Sequence, residues 1–395
     1  MKEPDVLVIG GGVMGAATAC FLARDHGAAV IVLERDPSYA RASSALSASS
    51  IRQQFSTPLN IALSQWSLAF MKRVESELAV DGEAPTLGLV EPGYLYLAGP
   101  GGAAELRANQ AVQQAAGAQV ALLEPAALQT RFPWLQVDDL ALGSLGLAGE
   151  GWFDGPALHT AFRRRAIAAG VRFVAAEATR IESRGDRVQA LHATDGQRFA
   201  ADIFVLAAGA WSSALAAHLG LALPVSPKKR DVFVLDSPAV LPGCPLVIDP
   251  SGVWFRPEGR GFLAGAPPRT LTDGGPGDPD EPPLEAVDHL LFEEHIWPLL
   301  AARVPAFEAL RVRSAWAGYY EMNAFDHNGV AGAVPGWRNV HIACGFSGHG
   351  MQHAPAVGSA LAAAIAGGHS DAPALDALSP RRLLEGRRLL ESNVI

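Results

Sequence analysis

A glycine-rich turn close to the start of the chain constrains the fold more strongly than any other part of the sequence. The apolar run from Val6 to Ile9 has the character of a strand buried on both faces. Gly10, Gly12 and Gly15 follow it with the spacing G-x-G-x-x-G, and a helical apolar period comes next. In a βαβ unit these glycines allow a tight turn, a close approach of the backbone to a pyrophosphate, and close packing of the helix on the strand.

The acidic residue after the second predicted strand indicates the kind of nucleotide. The apolar run 29–33 ends at Glu34, whose carboxylate can accept hydrogen bonds from both ribose hydroxyls. Its negative charge would repel a 2′-phosphate, which argues against NADP. The unit therefore predicts dinucleotide binding, and by itself it leaves FAD and NAD open.

Composition narrows the class of protein. The chain has 395 residues, 49% hydrophobic and 18% charged, and at this length we expect two domains. The formal net charge is −9, so we expect no nucleic-acid partner. Cys20, Cys244 and Cys344 are far apart without metal spacing, which predicts a reducing compartment, no disulfide and no metal site. No apolar run reaches membrane-spanning length, and the fold starts at Asp5 without room for a leader. The expected location is therefore cytoplasmic.

The sequence predicts that later segments are organised around the same nucleotide-binding unit. The loop 41–56 is rich in serine and glutamine, which predicts contacts to the cofactor. Segment 199–212 is a further buried strand that ends in a glycine turn, and 339–350 is a strand followed by a second glycine-rich loop. A small-residue helix, 355–366, follows and would turn its positive end towards that loop. These patterns predict that the chain leaves the nucleotide domain and re-enters it twice.

Three motifs in this order resemble a known family. They are residues 8–15 (Val-Ile-Gly-Gly-Gly-Val-Met-Gly), 205–211 (Val-Leu-Ala-Ala-Gly-Ala-Trp), and 345–350 (Gly-Phe-Ser-Gly-His-Gly) with 355–358 (Pro-Ala-Val-Gly). Together they resemble the FAD-dependent amine and amino-acid oxidoreductases, which include sarcosine oxidase, glycine oxidase and D-amino-acid oxidase. The resemblance spans nearly the whole chain.

Three further stretches are similar to one subfamily. Residues 50–56 (Ser-Ile-Arg-Gln-Gln-Phe-Ser), 316–329 and 391–395 (Glu-Ser-Asn-Val-Ile) resemble the FAD-dependent oxidoreductase domain-containing protein 1 subfamily. Its animal members are mitochondrial and linked to assembly of respiratory complex I. The resemblance implies a bacterial relative here. It also leaves an alternative function open, a flavin-containing subunit or assembly factor with little activity of its own.

The resemblance implies an α/β fold with two domains. A discontinuous, Rossmann-like FAD-binding domain would comprise residues 1–85, 150–224 and 325–395. An α+β substrate domain with a mostly antiparallel sheet would comprise residues 86–149 and 225–324 and cover one face of the flavin.

The resemblance also implies FAD rather than NAD as the cofactor. Sarcosine oxidases attach their flavin through a cysteine near the stretch 316–326, which contains none here, so the expected FAD is non-covalent. The residues expected to contact it are Gly10, Gly12, Val13, Met14, Gly15, Glu34, Arg35, Ser43, Ser44, Ser49, Ser50, Ile51, Ala178, Ala208, Gly209, Trp211, Gly345, Phe346, Gly348, His349, Gly350, Met351 and Gln352.

Members of this family oxidise a C–N bond of a secondary amine or amino acid by passing a hydride equivalent to flavin N5. The small-molecule substrate expected here is therefore an amine. The candidate catalytic residues are Arg52, Tyr319, Tyr320, His349 and Gln352. The first four are charged or proton-exchanging side chains near the motifs.

The cationic residues that grip a substrate carboxylate in the family are mostly replaced. Gln352 falls where sarcosine oxidases have a lysine, Phe55 where they have an arginine, and Tyr320 where glycine oxidase has an arginine. The substrate is thus expected to be neutral, larger, or anchored by Arg52 or by one of two other arginines, Arg230 and Arg256.

The electron acceptor is a separate question. The lysine that activates oxygen in sarcosine oxidases aligns with Leu263. Without a cation there, a slow oxidase or a dehydrogenase is expected, and a possible partner is an electron-accepting protein.

Overall fold

Two sheets of different character organise the chain in the computed structural model, which describes residues 4–268 and 281–393. The strands are β1 (Val6–Ile9), β2 (Val30–Glu34), β3 (Ser50–Ile51), β4 (Tyr94–Ala98), β5 (Val120–Leu123), β6 (Leu142–Gly146), β7 (Gly151–Trp152), β8 (Arg172–Ala175), β9 (Ala178–Arg184), β10 (Arg187–Ala193), β11 (Arg198–Ala200), β12 (Ile203–Leu206), β13 (Val225–Asp236), β14 (Leu246–Ile248), β15 (Trp254–Glu258), β16 (Gly261–Gly265), β17 (Arg311–Asn323), β18 (Val330–Ala333) and β19 (Val340–Cys344).

The helices connect and cover these strands. They are α1 (Val13–His26), α2 (Pro58–Met71), α3 (Val74–Glu77), α4 (Ala103–Ala115), α5 (Pro125–Arg131), α6 (Gly155–Ala168), α7 (Ser212–Ala217), α8 (His289–Leu291), α9 (Trp297–Arg303), α10 (Gly350–Ala366) and α11 (Arg381–Leu384). A π-helical turn, Phe292–Ile296, joins α8 to α9, and 3₁₀ turns lie at Gly209–Trp211, Pro305–Ala309 and Asp376–Leu378.

The first sheet is nearly all parallel, with the strand order β18-β19-β12-β1-β2-β8 among the described residues. Strands β1, β2, β8, β12 and β19 pair in parallel, and β18 alone is antiparallel. Helices α1, α6 and α10 pack into one buried cluster on the sheet, which explains why β1 is apolar at every position. Because β1, β12 and β19 come from distant parts of the sequence, this layer is assembled from separated segments.

The second sheet is mostly antiparallel, in the order β17-β13-β16-β15-β14-β4-β6-β5 among the described residues. The pairing of β4 with β14 is the parallel exception within it. The long strands β13 and β17 pair from Val225 with Asn323 to Asp236 with Arg311. The predicted fold class, a Rossmann-like sheet combined with a mostly antiparallel one, is confirmed. The exact domain boundaries stay a prediction.

The C-terminal segment returns to the interior. Arg382 and Asp326 form a buried ion pair with Nε and Oδ2 2.8 Å apart. Glu391, beyond it, is also buried, and its carboxylate accepts a 2.7 Å hydrogen bond from the backbone N–H of Ser56. The last two residues of the stretch 391–395 lie outside the described residues. Within the described ranges, no helix combines the length and the apolar character that a membrane crossing requires.

Candidate functional site

The turn between β1 and α1 has the backbone geometry that the glycine spacing predicts. Gly10 has a φ of +98°, and a Cβ there would lie 2.3 Å from the carbonyl oxygen of Ala207. A Cβ at Gly15 would lie 1.9 Å from the carbonyl oxygen of Gly10. Only glycine fits either position, so α1 begins close against the end of β1. The first turn of α1 carries no acidic residue, which leaves its positive end suited to a pyrophosphate.

Glu34 lies beside this turn, at the end of β2. Its Oε2 accepts a 2.8 Å hydrogen bond from the N–H of Gly11, and its Oε1 accepts a 2.9 Å bond from the N–H of Asp36. Two backbone amides therefore fix the carboxylate at the cavity wall. An ionised carboxylate still has lone pairs available for ribose hydroxyls.

A cavity of about 510 Å³ extends from this turn to the antiparallel sheet. Most of the residues predicted to contact FAD line it. These are Gly10, Gly12, Val13, Met14, Glu34, Arg35, Ser43, Ser44, Ser49, Ser50, Ala178, Ala208, Gly209, Trp211, Gly348, Gly350, Met351 and Gln352. Arg35 stacks over the ring of Trp211 with 3.9 Å between the guanidinium carbon and the ring centroid, which gives this end of the cavity a flat wall.

Five predicted contact residues do not line the cavity, and each has a local reason. Gly15 lies behind the turn, against Gly10. Ile51 points into the core because side chains alternate along β3, where its neighbour faces the cavity. The N–H of Gly345 is used by a side chain of β17, and Phe346 is fully buried. His349 is the fifth.

His349 is the predicted catalytic residue that the structure places elsewhere. Its ring packs 5.4 Å from that of Phe55 and 5.0 Å from that of His353, centroid to centroid. Neither ring nitrogen has a hydrogen-bond partner in the described part of the chain. Burial lowers the pKa of His349 to about 3, so its ring is neutral at ordinary pH. The structure thus places His349 behind the cavity wall, and its role in proton exchange with a substrate stays a prediction.

Arg52 lies at the other end of the cavity from the glycine turn and is 5% exposed. Its Nη1 donates to the carbonyl of Gln54 at 3.2 Å and to the hydroxyl of Tyr96, and its Nη2 donates to the carbonyl of Asn393. The guanidinium also stacks over Phe55 at 4.3 Å. All these partners are neutral, and no carboxylate of residues 4–268 or 281–393 forms an ion pair with Arg52.

Gln352 supports the same arginine from α10. Its Oε1 accepts a 2.8 Å hydrogen bond from the backbone N–H of Arg52 and a 3.2 Å bond from the hydroxyl of Ser64. Gln352 thus lines the cavity and also fixes the main chain that carries the guanidinium.

The two tyrosines of β17 differ in their surroundings. The hydroxyl of Tyr319 donates to the carbonyl of Pro282 at 2.7 Å and accepts from Arg41 at 3.2 Å, and its ring lies edge-on to Trp211. Tyr320 packs under the guanidinium of Arg230, 5.3 Å from the ring centroid. Tyr320 therefore belongs to the Arg52 end of the cavity, and Tyr319 to the Trp211 end.

The other arginine proposed as an anchor is engaged elsewhere. Arg256 is buried, donates to the carboxylate of Glu258 and to the carbonyl of Ala48, and does not line the cavity. Leu263 is buried in β16 and is likewise absent from the cavity wall. No lysine is found among the described residues that line the cavity.

Sequence reasoning missed several residues of the cavity wall, and three of them lie on strands of the second sheet beside the predicted substrate site. Tyr94 and Trp254 come from strands of the second sheet, and Glu321 follows Tyr320 on β17. Burial raises the pKa of Glu321 to about 7, although the backbone amides of the loop 345–346 act in the opposite direction. The one available signal was a carboxylate directly after the apolar and aromatic run 315–320.

The glycine turn forms a dinucleotide-binding site on the parallel sheet, and the cavity extends from it to the antiparallel sheet. These two features together define a class of protein. A family model described as FAD dependent oxidoreductase matches residues 5–364. The chain therefore belongs to that family of FAD-dependent oxidoreductases, and it binds FAD, as its resemblance predicted.

Individual relatives agree with this assignment. The chain is 42% identical over 434 residues to FAD-dependent oxidoreductase domain-containing protein 1 of Xenopus laevis, covering all of this chain and 85% of that protein. The structure of glycine oxidase from Geobacillus kaustophilus is similar with a TM-score of 0.79 and 27% identity, over 96% of this chain and 98% of that one. L-proline dehydrogenase from P. horikoshii shares the fold with a TM-score of 0.82 and 24% identity, over 98% and 99%.

Proposed function

We propose that the protein is an enzyme that oxidises the C–N bond of a secondary amine or amino acid carrying a carboxylate. The observation that carries this proposal is Arg52, a buried cation on the cavity wall whose hydrogen-bond partners are all neutral. A buried charge normally has a charged partner. An anionic substrate group in the cavity would supply one.

The surroundings of Arg52 support an amino acid over a larger anion. Tyr94, Trp254 and Tyr320 bring three aromatic rings to the same cavity, and Arg230 adds a second guanidinium beside Tyr320. Aromatic rings exclude water from an apolar substrate body, while a guanidinium binds a carboxylate through two parallel hydrogen bonds. Glycine oxidase, whose structure is similar, bears the name of an amino-acid substrate.

Each of these residues has a distinct task in the proposed reaction. Arg52 and Arg230 hold the carboxylate, and Gln352 keeps the main chain of Arg52 in place. The rings of Tyr94 and Tyr320 limit the orientations of the substrate and keep its reacting C–H bond away from water. When bound, FAD supplies the redox chemistry by accepting the hydride equivalent from the carbon next to nitrogen.

The test compares pairs of substrates that differ by a carboxylate. Holoprotein is mixed without oxygen with proline or pyrrolidine, and with N-methylglycine or dimethylamine, and loss of the flavin absorbance is followed. D- and L-amino acids complete the panel. The carboxylated member of at least one pair is expected to reduce the flavin faster.

Arg52→Gln then identifies the anchor. Loss of a hydrogen bond to a charged group costs about 1.5–3 kcal/mol, so the half-saturating concentration of the carboxylated substrate should rise on the order of 10- to 100-fold. Arg256→Gln is the matched control, because Arg256 is equally buried but does not line the cavity. Equal effects of Arg52→Gln on both members of a pair would contradict the anchor. A flavin that no amine reduces would favour the subunit or assembly-factor alternative.

A further inference from the structure

Glu321 brings a carboxylate to the wall of the FAD cavity at the start of α10. Its Oε2 accepts a 3.0 Å hydrogen bond from the backbone N–H of Gly345. A Cβ built at Gly350 would lie 3.0 Å from Oε1, and one built at Gly209 would lie 3.6 Å from Oε2. The carboxylate therefore lies between the loop that leads into α10 and the glycine turn after β12, two elements that both line the cavity.

No cation balances this carboxylate within residues 4–268 and 281–393. On β13 its cross-strand neighbour is Pro227, and from the loop Ser347 donates its N–H to the main-chain oxygen of Glu321 at 3.1 Å. The titratable side chain that interacts with it is Cys344 of β19, whose thiol stays neutral because burial raises its pKa. Glu321 is thus an acid without an ion pair among the described residues, and its charge is favoured by the backbone amides of Gly345 and Phe346 in the loop that leads into α10.

A helix N-terminus in a cavity of low polarity stabilises one negative charge much better than two. Two carboxylates that share a site show the same behaviour, because the first charge raises the pKa of the second group. Electrons that enter the cavity on FAD add negative charge beside Glu321. The energetically favourable response is neutralisation of the carboxylate by a proton.

We propose that Glu321 binds a proton from solvent when the FAD in this cavity is reduced. The O–H bond forms at the Glu321 carboxylate, the two electrons go to FAD, and no electron passes through the glutamate. The inference depends on FAD binding and does not depend on the identity of the amine substrate, because any reductant that delivers two electrons produces the same charge.

The proton uptake has a defined pH window. Burial raises the pKa of Glu321 to about 7 before reduction, and added negative charge raises it further. At about pH 5.5 the carboxyl is already protonated before reduction, so it takes up nothing more. At about pH 8 it is mostly ionised before reduction and protonated afterwards, so each pair of electrons brings one additional proton.

The experiment titrates purified holoprotein with dithionite and measures the midpoint potential of the flavin against pH. The slope gives the number of protons bound per pair of electrons. Above about pH 7, wild type is expected to bind one proton more than Glu321→Gln, and the two should agree at about pH 5.5. Glu321→Asp should restore the additional proton.

Glu150→Gln is the matched control for a structural effect. Burial raises the pKa of Glu150 to about 7 as well, but its carboxylate accepts hydrogen bonds from Gln53 and Gln54 and does not line the cavity. This variant should behave as wild type in the titration. The proposal is overturned if Glu321→Gln keeps the wild-type slope, or if Glu150→Gln loses the additional proton.

A measurement on wild type covers the case in which Glu321→Gln loses its cofactor. Reduced-minus-oxidised infrared spectra at about pH 8 should contain the C=O band of a newly protonated carboxyl group. The band should be absent at about pH 5.5, where the carboxyl is protonated in both states. Absence of the band at the higher pH would refute the proposal without any variant.

Discussion

Replacement of Glu391 by alanine should destabilise the protein strongly, although this residue is only four positions from the last residue of the sequence. Its side chain is fully buried. Oε1 accepts from the N–H and hydroxyl of Ser56, both at 2.7 Å, and from the N–H of Asn393 at 3.1 Å. Oε2 accepts from the hydroxyl of Thr57 and from Nδ2 of Asn60, both at 3.0 Å.

The expected magnitude follows from these donors. An orphaned buried donor costs about 1–3 kcal/mol, but water entering the vacated space would satisfy some of them. We therefore expect Glu391→Ala to lower the free energy of unfolding by about 3–5 kcal/mol, the cost of leaving two or three of these donors unsatisfied. Glu391→Gln keeps one acceptor oxygen and should cost about 1–2 kcal/mol.

Urea unfolding of the holoprotein, followed by flavin fluorescence and by circular dichroism, measures these differences. Glu385→Ala is the control, because Glu385 pairs with the exposed Arg387 and, within the described part of the chain, with no other cation. This variant should change stability by less than about 1 kcal/mol. If Glu391→Ala unfolds within about 1 kcal/mol of wild type, the buried carboxylate does not hold the C-terminal segment in the way the hydrogen bonds indicate.

Two further predictions concern the cofactor turn and the dependence of stability on pH. Gly10→Ala should raise the dissociation constant of FAD more than about tenfold in fluorescence titrations of apoprotein, because the new Cβ would meet the backbone of residue 207. Gly27→Ala is the control. Gly27 also has a left-handed φ, +65°, but a Cβ there meets open space, so FAD affinity should be unchanged. Burial raises the folded-state pKa of Glu150 to about 7, above its usual 4.5. The stability that the protonated Glu150 carboxyl contributes is therefore complete below about pH 4.5 and is lost as pH rises towards 7. Glu150→Gln should therefore flatten the fall in unfolding free energy over that range in urea titrations, and an unchanged slope would count against the raised pKa.

The nucleotide end of the cavity was predictable because it is built from neighbours in sequence. The turn at Gly10 and the acid at Glu34 belong to one βαβ unit, where spacing alone fixes their relation. The loop that ends in Gly350 was predictable for a similar reason, since a glycine-rich loop before a helix places amides at a cavity. In both segments the spacing of residues in the sequence directly fixes their positions in the structure.

The substrate end was only partly predictable because its residues meet through tertiary packing. Tyr94 and Trp254 reach the cavity from β4 and β15, which are far apart in sequence. The orientation of His349, the residue immediately before α10, could not be predicted, because the motif itself does not specify that the ring packs against Phe55. The hydrogen bond from Arg52 to residue 393 likewise depends on the return of the chain end.

Some buried charges of the described residues form ion pairs within the chain, whereas two charged residues of the cavity wall do not, so their partners can come from outside the chain. Arg382 pairs with Asp326, and Arg303 pairs with Asp249 at 2.7 Å. Arg52 and Glu321 form no ion pair with any described residue, yet both line the same cavity. A charge that is removed from water without an ion pair is costly, so such charges on the wall of a cavity are candidates for a functional role. A carboxylate beside Arg52, and a proton at Glu321 as electrons arrive, would each complete one of these two sites.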